Sequence, residues 1–540
     1  MAEGQANSDH TVYDDESRTI VNVNNPKAVT DDGDLGGEKF ETRESAAGEK
    51  SFGENQVAHG MKDVEKGDPA ADEAAAAADP NLVDWDGPDD PKNPRNWSKG
   101  CKMANIALIS ASVLYCNIAT TMFAPGANIM EHEFGFNNNT IEVLTITIAS
   151  LGFAMGLFFA PLSEVFGRVP IYRVACICYM GFTVGCARST NVAMFLVFRL
   201  LTGLSASPFM TTGGGTIADL LEKEERGGAM AMFTLGPLIG PVVGPIVGGF
   251  VTQNKGWRWT FYIILMLAGT VSILSFIIMR ETCAPVILKA KATRLRNETG
   301  NTNLRAAGDK QTPVSQLVIH AMKRPIKFLF KSPIVLLTSI YIAFIFGVIM
   351  LFYSTFPVVY EETYHWSVGV SGLAYIGIGI GCAIGITVFG KLSDRLVRDG
   401  GSDGKYRVER RMILVMIFCP LLPVGLFIYG WTAYYKVQWI VPIIGTAITG
   451  MGVVMITSSS QIYIIDVFGP QAAASALASM TLLRNIIGCL LPLAAPSLYK
   501  NLGLGWGNSL LAFIAVGFIG VPFFFYFCGQ WLREKFPVEI

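Results

Sequence analysis

Charge is scarce in this chain, and several features that are common in enzymes are missing. Of its 540 residues only 16% are charged and 51% are hydrophobic, whereas an ordinary globular domain has about 25% charged residues. No Asp or Glu lies in the middle of a long apolar stretch, and there are only five histidines. The ten cysteines fall mostly within apolar stretches without the spacing of metal ligands, which favours small buried hydrophobic side chains. These absences argue against a membrane enzyme or a metal protein.

Signals for nucleotide binding and for secretion are also missing. The glycine-rich stretch at 213–216 is not followed by Gly-Lys-Ser or Gly-Lys-Thr, so ATP is not expected as the energy source. The first 39 residues are polar and acidic rather than a signal peptide, and no lipidation motif is present. The first apolar stretch is therefore expected to act as its own insertion signal. We expect no cofactor and no nucleic-acid partner.

The charges that are present divide the chain into two regions. Residues 1–100 hold 23 Asp and Glu against 10 Lys and Arg, whereas the remainder holds 20 against 32. The acidic region has few large apolar residues and an alanine run at 74–78, so it lacks the surface to form a core. We predict a disordered, cytoplasmic tail over residues 1–100.

Twelve apolar stretches have the length of a membrane crossing, since a bilayer core of ~30 Å takes ~20 helical residues. They lie near 103–124, 141–162, 171–188, 192–213, 229–252, 258–280, 333–356, 369–390, 411–431, 438–461, 473–499 and 507–530. Their continuous hydrophobicity excludes a closed β-barrel. We predict an all-α membrane protein with two six-helix lobes in the bilayer. The predicted segments after the tail are a first lobe (101–281), a basic central loop (282–332), a second lobe (333–530) and a C-terminus (531–540).

Lysine and arginine set the orientation of these stretches. The central loop holds ten of them and the loop after the eighth stretch holds seven, whereas the loops on the opposite side hold very few. Both termini and the central loop are therefore predicted to face the cytosol.

A short polar phrase occurs twice, each time at the end of an apolar stretch. The first copy contains Ser163, Glu164, Gly167 and Arg168, and the second contains Asp394 and Arg395, 230 residues later. Polar groups packed between helices near lipid are costly, so two copies indicate one device in two related halves. We predict gating roles for Glu164, Gly167, Arg168, Asp394 and Arg395, with Glu164 and Arg168 bonded to helix ends and to each other. The alternative is a static clasp between helices.

The fifth stretch is rich in glycine and proline. Glycines spaced four apart form one groove on a helix, which allows close helix approach, and prolines weaken or bend the helix. The predicted hinge residues are Gly236, Pro237, Gly240, Pro241, Gly244, Pro245, Gly248 and Gly249. The alternative is plain packing of small residues.

Two arginines lie inside apolar stretches, Arg199 in the fourth and Arg484 in the eleventh. A charge at mid-membrane costs ~2.5–3.5 kcal/mol on insertion scales, so each is expected to face a cavity or a polar partner. For Arg484 the alternative is an end residue that reaches toward the membrane surface. The predicted substrate-binding residues are Asn117, Tyr353, Tyr375, Gln461 and Arg484, a mixture that suits an amphipathic organic molecule.

Residues 156–168 resemble the cytoplasmic signature of the major facilitator superfamily, roughly G-x-L-x-D-R-x-G-R. The chain departs from it with Pro161, with Glu164 in place of Asp and with Val165 in place of Arg. The variant "PLSEVFGR" is similar to that of fungal twelve-span drug:proton antiporters. So are residues 82–98 before the first stretch and "RETCAPVIL" at 280–288.

The resemblance implies a two-lobed transporter and roles for particular residues. The fifth stretch resembles the antiporter motif G-x-x-x-G-P-x-x-G-G with an added proline at 241, and Arg199, near Gly203, matches a position tied to proton transfer. Asp219 best suits a proton relay with Arg199, the alternative being an ordinary loop acid. Proton coupling is implied by resemblance alone.

The function predicted from these features is proton-driven export of small amphipathic organic compounds, such as drugs, toxins, polyamines or secondary metabolites. The alternatives are an uptake permease for a nutrient or organic acid, and a membrane sensor that signals through the acidic tail. We expect a monomer in the plasma membrane, with the vacuolar membrane as second choice.

Overall fold

The computed structural model describes residues 81–222, 225–307, 314–398 and 408–536. All of them belong to the compact unit Ala70–Ile540, and the other unit, Met1–Pro69, lies outside the described residues. The predicted tail therefore falls outside them up to residue 80. In the second polar phrase, Asp394 and Arg395 belong to a described helix, but their side chains lie outside the described part.

The described chain is almost entirely helical, and eleven of its helical segments are long and apolar enough to cross a membrane. We number the first ten α1 Lys99–Phe134, α2 Asn139–Phe166, α3 Arg168–Ala187, α4 Val192–Leu220, α5 Arg226–Lys255, α6 Arg258–Ile278, α7 Pro333–Tyr364, α8 Val368–Leu392, α9 Val408–Tyr434 and α10 Ile440–Gly469.

The eleventh segment, Ala472–Lys535, has 64 residues, which is the length of two crossings. It leaves helical geometry at Gly503 (φ 71°), so we treat 472–502 as α11 and 504–535 as α12. Gly469 (φ 65°) makes the corresponding break between α10 and α11. The two six-helix lobes predicted from sequence are thereby confirmed.

Polar side chains and glycines mark the ends of these helices. The side chains of Ser98, Asn138, Asn191 and Ser332 accept hydrogen bonds from the first free backbone N–H groups of α1, α2, α4 and α7. Gly167, at φ 98°, ends α2 and starts α3 in a conformation that an L side chain rarely adopts. These helix ends are therefore set by nearby residues that cap the free backbone groups or allow the chain to turn.

The first helix of each lobe is the most enclosed. Burial reaches 72% of the apolar window of α1 and 78% of that of α7, against 39% for α3 and 33% for α6. Each lobe thus has its first helix at the centre of the bundle, as expected for two repeats of one architecture.

The two ends of the bundle are named here after residues that lie there. At the Glu133 end, Glu133 pairs with Arg258, and Arg258 also donates to the Ser189 carbonyl, which joins three loops of the first lobe. At the opposite end, the Arg168 end, Arg168 pairs with Asp219. In the described part of the chain, the central-loop helix Val314–Lys331, which the charge distribution predicts to be cytosolic, lies at the Arg168 end.

The spans of the two lobes touch mainly in the Glu133 half. The Gln253 side chain of α5 accepts a hydrogen bond from the Gly369 N–H of α8 (2.8 Å), and Thr147 of α2 donates to the Cys489 carbonyl of α11 (3.3 Å). At the Arg168 end the central-loop helix Val314–Lys331 lies against the last turns of α2. Ser479 of α11 donates to its Pro325 carbonyl (2.7 Å).

Residues 81–98, which the sequence placed in the disordered tail, are folded against the central loop. Strand β1 Leu82–Val83 pairs in parallel with β2 Arg305–Ala306. The Lys291 ammonium, on helix Ala284–Thr299, donates to the Asp84 carbonyl (2.7 Å) and pairs with Asp86. Val83 packs with Leu288, Ala292 and Ala306. We call this assembly the N-terminal clasp.

Candidate functional site

A cavity of about 380 Å³ lies between the two lobes at the middle of the bundle. Its walls come from α1, α2, α4 and α5 on one side and from α7, α8, α10 and α11 on the other. The remaining four spans, α3, α6, α9 and α12, contribute no described lining residue. Each lobe thus supplies its first, second, fourth and fifth helix, as two related halves would.

The lining is apolar with separate polar groups. Its apolar part includes Phe153, Met210, Phe346, Ile349 and Met350. Its polar side chains are Asn117, Thr120, Thr121, Ser150, Ser207, Thr211 and Thr234 from the first lobe, and Thr457, Ser458, Gln461, Thr481, Arg484 and Asn485 from the second. The volume and the mixture lie within the range of sites for drug-sized organic molecules.

Four of the five predicted substrate-binding residues, Asn117, Tyr353, Gln461 and Arg484, line this cavity. Tyr375 does not reach it. It is fully buried, its ring stacks on that of Tyr353, and its hydroxyl donates to the Tyr353 carbonyl. Tyr375 therefore supports a lining residue from behind, because α8 turns that side chain toward α7.

The amide side chains that line the cavity differ in how many hydrogen bonds they make to the protein. The Asn117 amide donates to the Val113 carbonyl one turn back (2.8 Å), which leaves its oxygen free for the cavity. Gln461 and Asn485 make no side-chain hydrogen bond to any described residue. Sequence reasoning missed Asn485, although its position next to Arg484 on α11 was a usable signal.

The two arginines inside spans have opposite surroundings. Arg199 is 1% exposed, and its guanidinium donates to four backbone carbonyls at 3.0–3.4 Å: Ala119, Thr120, Thr145 and Ile146. The first two belong to the last regular turn of α1, before Pro125, where carbonyls lack helical partners. Arg199 therefore joins α1, α2 and α4 near the Glu133 end.

Arg484 has no such partners. Its guanidinium lies over the Phe346 ring, 5.0 Å from the centroid, and its buried Nε finds no acceptor among the described residues. The Arg484 side chain lines the cavity.

Arg199 and Asp219 do not form the direct relay predicted from sequence. They lie 20 positions apart on α4, which at ~1.5 Å per residue separates them by ~30 Å along the helix. Asp219 instead accepts from the Arg168 Nε (3.2 Å) and from the Thr282 hydroxyl (3.5 Å).

Arg168 is the centre of a buried polar cluster at the Arg168 end. Besides Asp219 it binds the Ser163 hydroxyl. The predicted bond between Arg168 and Glu164 is absent from the described contacts, and Glu164 is exposed. The physical reason is Gly167, which breaks the helix between them, so that their four-residue spacing does not place them on one face.

Glu281, which sequence reasoning did not single out, completes this cluster. Its carboxylate accepts from the Arg168 and Val169 N–H groups (2.8 and 3.1 Å), which are free donors at the start of α3. It also accepts from the N–H groups of Thr282 and Cys283. Burial raises the pKa of the neighbouring Cys283 thiol to about 11, so that thiol stays protonated at neutral pH.

The second lobe has a related cluster at the same end. Arg411, in the first turns of α9, pairs with Asp466 near the end of α10 (3.1 Å), as Arg168 of α3 pairs with Asp219 of α4. Glu409 pairs with Arg533 of α12. The predicted gating residues Asp394 and Arg395 cannot be placed in it, since their side chains are not described.

Helix α5 uses its small residues on two sides. Added β-carbons at Gly240, Gly244 and Gly248 would collide with α1, and one at Gly236 would lie 3.0 Å from it, so this groove faces the first helix. A β-carbon at Gly249 would collide instead with the Val368 carbonyl of the second lobe.

The three prolines do not interrupt α5, which runs unbroken over 30 residues. Pro237 and Pro241 line the cavity, and Pro245 is buried against Gly372 of α8. Pro245 leaves the Pro241 carbonyl without a helical partner, and the Thr121 hydroxyl of α1 donates to it (3.4 Å). A hinge role for these residues stays a prediction.

Comparisons with known proteins agree with this geometry. A family model described as Major Facilitator Superfamily matches residues 107–492. The chain is 53% identical over 467 residues to the MFS transporter prlG of Fungal sp. (strain NRRL 50135), covering 86% of this chain and 99% of that one. It is 47% identical over 464 residues to the trichosetin biosynthesis cluster MFS transporter of Gibberella fujikuroi, covering 85% and 90%.

Solved structures with the same fold include the xylose transporter XylE of E. coli in a partially occluded, inward-open conformation. The TM-score is 0.59 at 17% identity, covering 79% of this chain and 98% of that one. A bacterial homologue of the human lysosomal transporter Spinster, inward-facing and unoccupied, gives a TM-score of 0.58 at 14% identity and covers 82% and 100%. At these identities the likeness is one of fold alone.

Proposed function

Because this chain belongs to the major facilitator superfamily, whose members are membrane transporters, we propose that it exports small amphipathic organic compounds in exchange for protons. The resemblance to the major facilitator superfamily is confirmed by the family model, and the similarity to fungal transporters by the relatives. The direction, the coupling ion and the substrate are our proposal.

The observation that carries the proposal is the cavity between the lobes. It lies on the Arg168 side of the contacts that Gln253 and Thr147 make across the lobe boundary. A site between two lobes whose spans touch mainly at one end suits alternating access, since rocking of the lobes moves the opening to the other side. With the Arg168 end in the cytosol, the conformation described here faces inward.

The lining supports an amphipathic substrate. Aromatic and aliphatic side chains form most of the wall, and unpaired groups such as Gln461 and Asn485 would otherwise lie unsatisfied against it. Buried polar groups without partners cost free energy, so a ligand that pairs with them gains affinity.

Two features support export. Helix α5 passes between the lobes with the glycine and proline pattern of an antiporter motif. One relative is named for a biosynthesis cluster, and the product of a biosynthetic pathway made inside a cell needs a route out. We propose a fungal secondary metabolite as the natural substrate and the plasma membrane as the location.

For proton coupling we propose Glu142 of α2. Asp219 and Asp466 are both paired with arginines, whereas Glu142 is buried without an ion pair to any described residue. The carboxylates of Glu131, Glu361 and Glu362 act on it electrostatically, two of them from the second lobe. Like charges on the two lobes oppose approach of the lobes at the Glu133 end. Protonation of Glu142 would remove one of these charges and so favour contact between the lobes there.

Everted membrane vesicles test export directly. We expect a dansyl-labelled amphipathic probe to accumulate in the vesicle lumen when the lumen is acidified. A protonophore should abolish this accumulation. A gradient of one pH unit supports about tenfold accumulation for one proton per substrate. Gly249→Leu, which blocks the lobe boundary, should be inactive, and Gly269→Leu, at a site with no neighbour within 4 Å, should be active.

The same vesicles test the coupling. Glu142→Gln should retain probe exchange without a gradient but lose accumulation driven by the gradient. Accumulation only in right-side-out vesicles, driven by protons entering with the probe, would instead identify an uptake permease and refute export.

A further inference from the structure

The central cavity holds one net positive charge. Arg484 is the only charged side chain among its described lining residues, and no Asp or Glu lines it. Arg484 takes part in no salt bridge and no hydrogen bond with a described residue. A guanidinium does not lose its proton at any physiological pH, so this charge is permanent.

The protein shows elsewhere how it satisfies a buried arginine when the role is structural. Arg199 donates to four backbone carbonyls, and Arg168 has a carboxylate and a hydroxyl. Arg484 has only the face of Phe346, a partner that leaves its N–H donors unused. Arg484 is half-buried in the cavity wall, and its Nε is buried without an acceptor among the described residues. A cation held against apolar groups without a protein partner is costly, which favours a counter-charge supplied from outside the chain.

Unpaired hydrogen-bonding groups surround the same cavity. Gln461 of α10 and Asn485 of α11 make no side-chain bond to a described residue, and both can donate to an anion together with the guanidinium. The adjoining wall, formed by Phe346, Ile349 and Tyr353 of α7, is mainly apolar. An anion alone would not fill this volume, and a neutral apolar molecule would leave Arg484 unpaired.

Building on the proposed function, we propose that the substrate is a lipophilic organic monoanion whose carboxylate binds Arg484 while its apolar body packs against α7. The planar guanidinium suits an acid with two coplanar oxygens, because two parallel N–H donors can meet both. Arg484 is therefore a specificity-determining residue of the cavity.

The test compares two probes that share one skeleton and differ in charge. Purified full-length protein in lipid nanodiscs is titrated with 11-(dansylamino)undecanoic acid and with its methyl ester, and dansyl fluorescence reports binding. We expect the acid to bind about tenfold more tightly than the ester, since charge-assisted pairs are the stronger ones. Arg484→Gln should reduce that ratio to about one by weakening the acid, with the ester changed less than about threefold.

Two further variants make the result specific. Arg484→Lys keeps the positive charge but removes the planar guanidinium, whose two parallel N–H groups can bind both oxygens of a carboxylate. This variant should therefore retain part of the preference for the acid. Arg188→Gln changes an exposed arginine in the loop between α3 and α4, and it should bind both probes as the wild type does. Ester binding by Arg484→Gln shows that this variant is folded.

Equal binding of acid and ester by the wild type, or a preference that survives Arg484→Gln, would overturn the inference. Flux separates this failure from failure of the proposed function. If the vesicles export ester and acid equally, export stands and the monoanion inference fails. If the protein binds the acid through Arg484 but moves no probe outward, the monoanion site stands and export fails.

Discussion

At the scale of single residues, three arginines inside the described bundle differ in what compensates their charge. Arg199 uses helix carbonyls and Arg168 uses Asp219 and Ser163, so both hold helices together. Arg484 alone among these three lacks a compensating group in the described protein. The same residue type therefore serves architecture at two positions and recognition, as we propose, at the third.

Glu281 should contribute to stability through the start of α3. The Arg168 and Val169 N–H groups each donate to a different oxygen of Glu281. Glu281→Gln replaces one of these acceptors by a donor and removes the negative charge, so we expect a loss of about 1–2 kcal/mol. Thermal unfolding in detergent measures it. The control is Glu298→Gln, an exposed partner of Arg294, which should change stability by less than about 0.5 kcal/mol. Equal effects of both variants would contradict the capping role.

The limits of sequence reasoning at this scale follow from distance along the chain. Arg168 and Glu164 were predicted to bond to each other as opposite charges within one polar phrase, but Gly167 breaks the helix between them and directs them apart. Glu281 lies 113 positions from Arg168. No local sequence pattern predicts that the residues after α6 lie next to the start of α3. The Glu281 cap on α3 could therefore be identified only from the folded structure.

At the scale of elements, α5 shows which part of a pattern is readable. Glycines four apart predict a groove, and the groove exists. Its partner, α1, was not predictable, because any neighbouring helix could occupy a groove of that width. The two-residue strands of the N-terminal clasp were also missed, since a parallel pair between residues 82 and 305 has no periodic signal.

The groove predicts a contrast between two glycines. At Gly248 an added methyl group would overlap the Met122 carbonyl of α1, so Gly248→Ala should cost about 1–3 kcal/mol through forced separation of the helices. At Gly269 of α6 no atom lies within 4 Å, so Gly269→Ala should be neutral or stabilise by up to about 1 kcal/mol. The unfolding temperatures of the two variants, measured in the same detergent, are compared with that of the wild type. An unchanged unfolding temperature for Gly248→Ala would refute close packing of α1 and α5.

At the scale of the whole molecule, the two lobes repeat one arrangement of charge. Arg168 with Asp219 and Arg411 with Asp466 join corresponding helices, and both pairs lie at the same end of the bundle. The sequence predicted the repeat from the polar phrase at 163–168 and 393–395. It named Asp219 only as a relay partner of Arg199 and paired neither aspartate with its arginine, because two spans separate each aspartate from the polar phrase of its lobe.

Orientation in the membrane can be tested with two positions on one helix. Gly228 and Asn254 are exposed near opposite ends of α5. In intact cells a membrane-impermeant maleimide should label Asn254→Cys, and it should label Gly228→Cys only after permeabilisation, because the positive-inside rule places the Arg168 end in the cytosol. Wild-type protein measures labelling of the native cysteines. The reverse pattern would invert the proposed topology and with it the direction of the opening.

The N-terminal clasp also sets an order of events during synthesis. Leu82 leaves the ribosome early, yet its strand partner Arg305 is translated only after all six helices of the first lobe. At roughly 5–20 residues per second, the nascent β1 waits on the order of ten seconds or more for β2. The clasp therefore forms only once the six helices of the first lobe have been made.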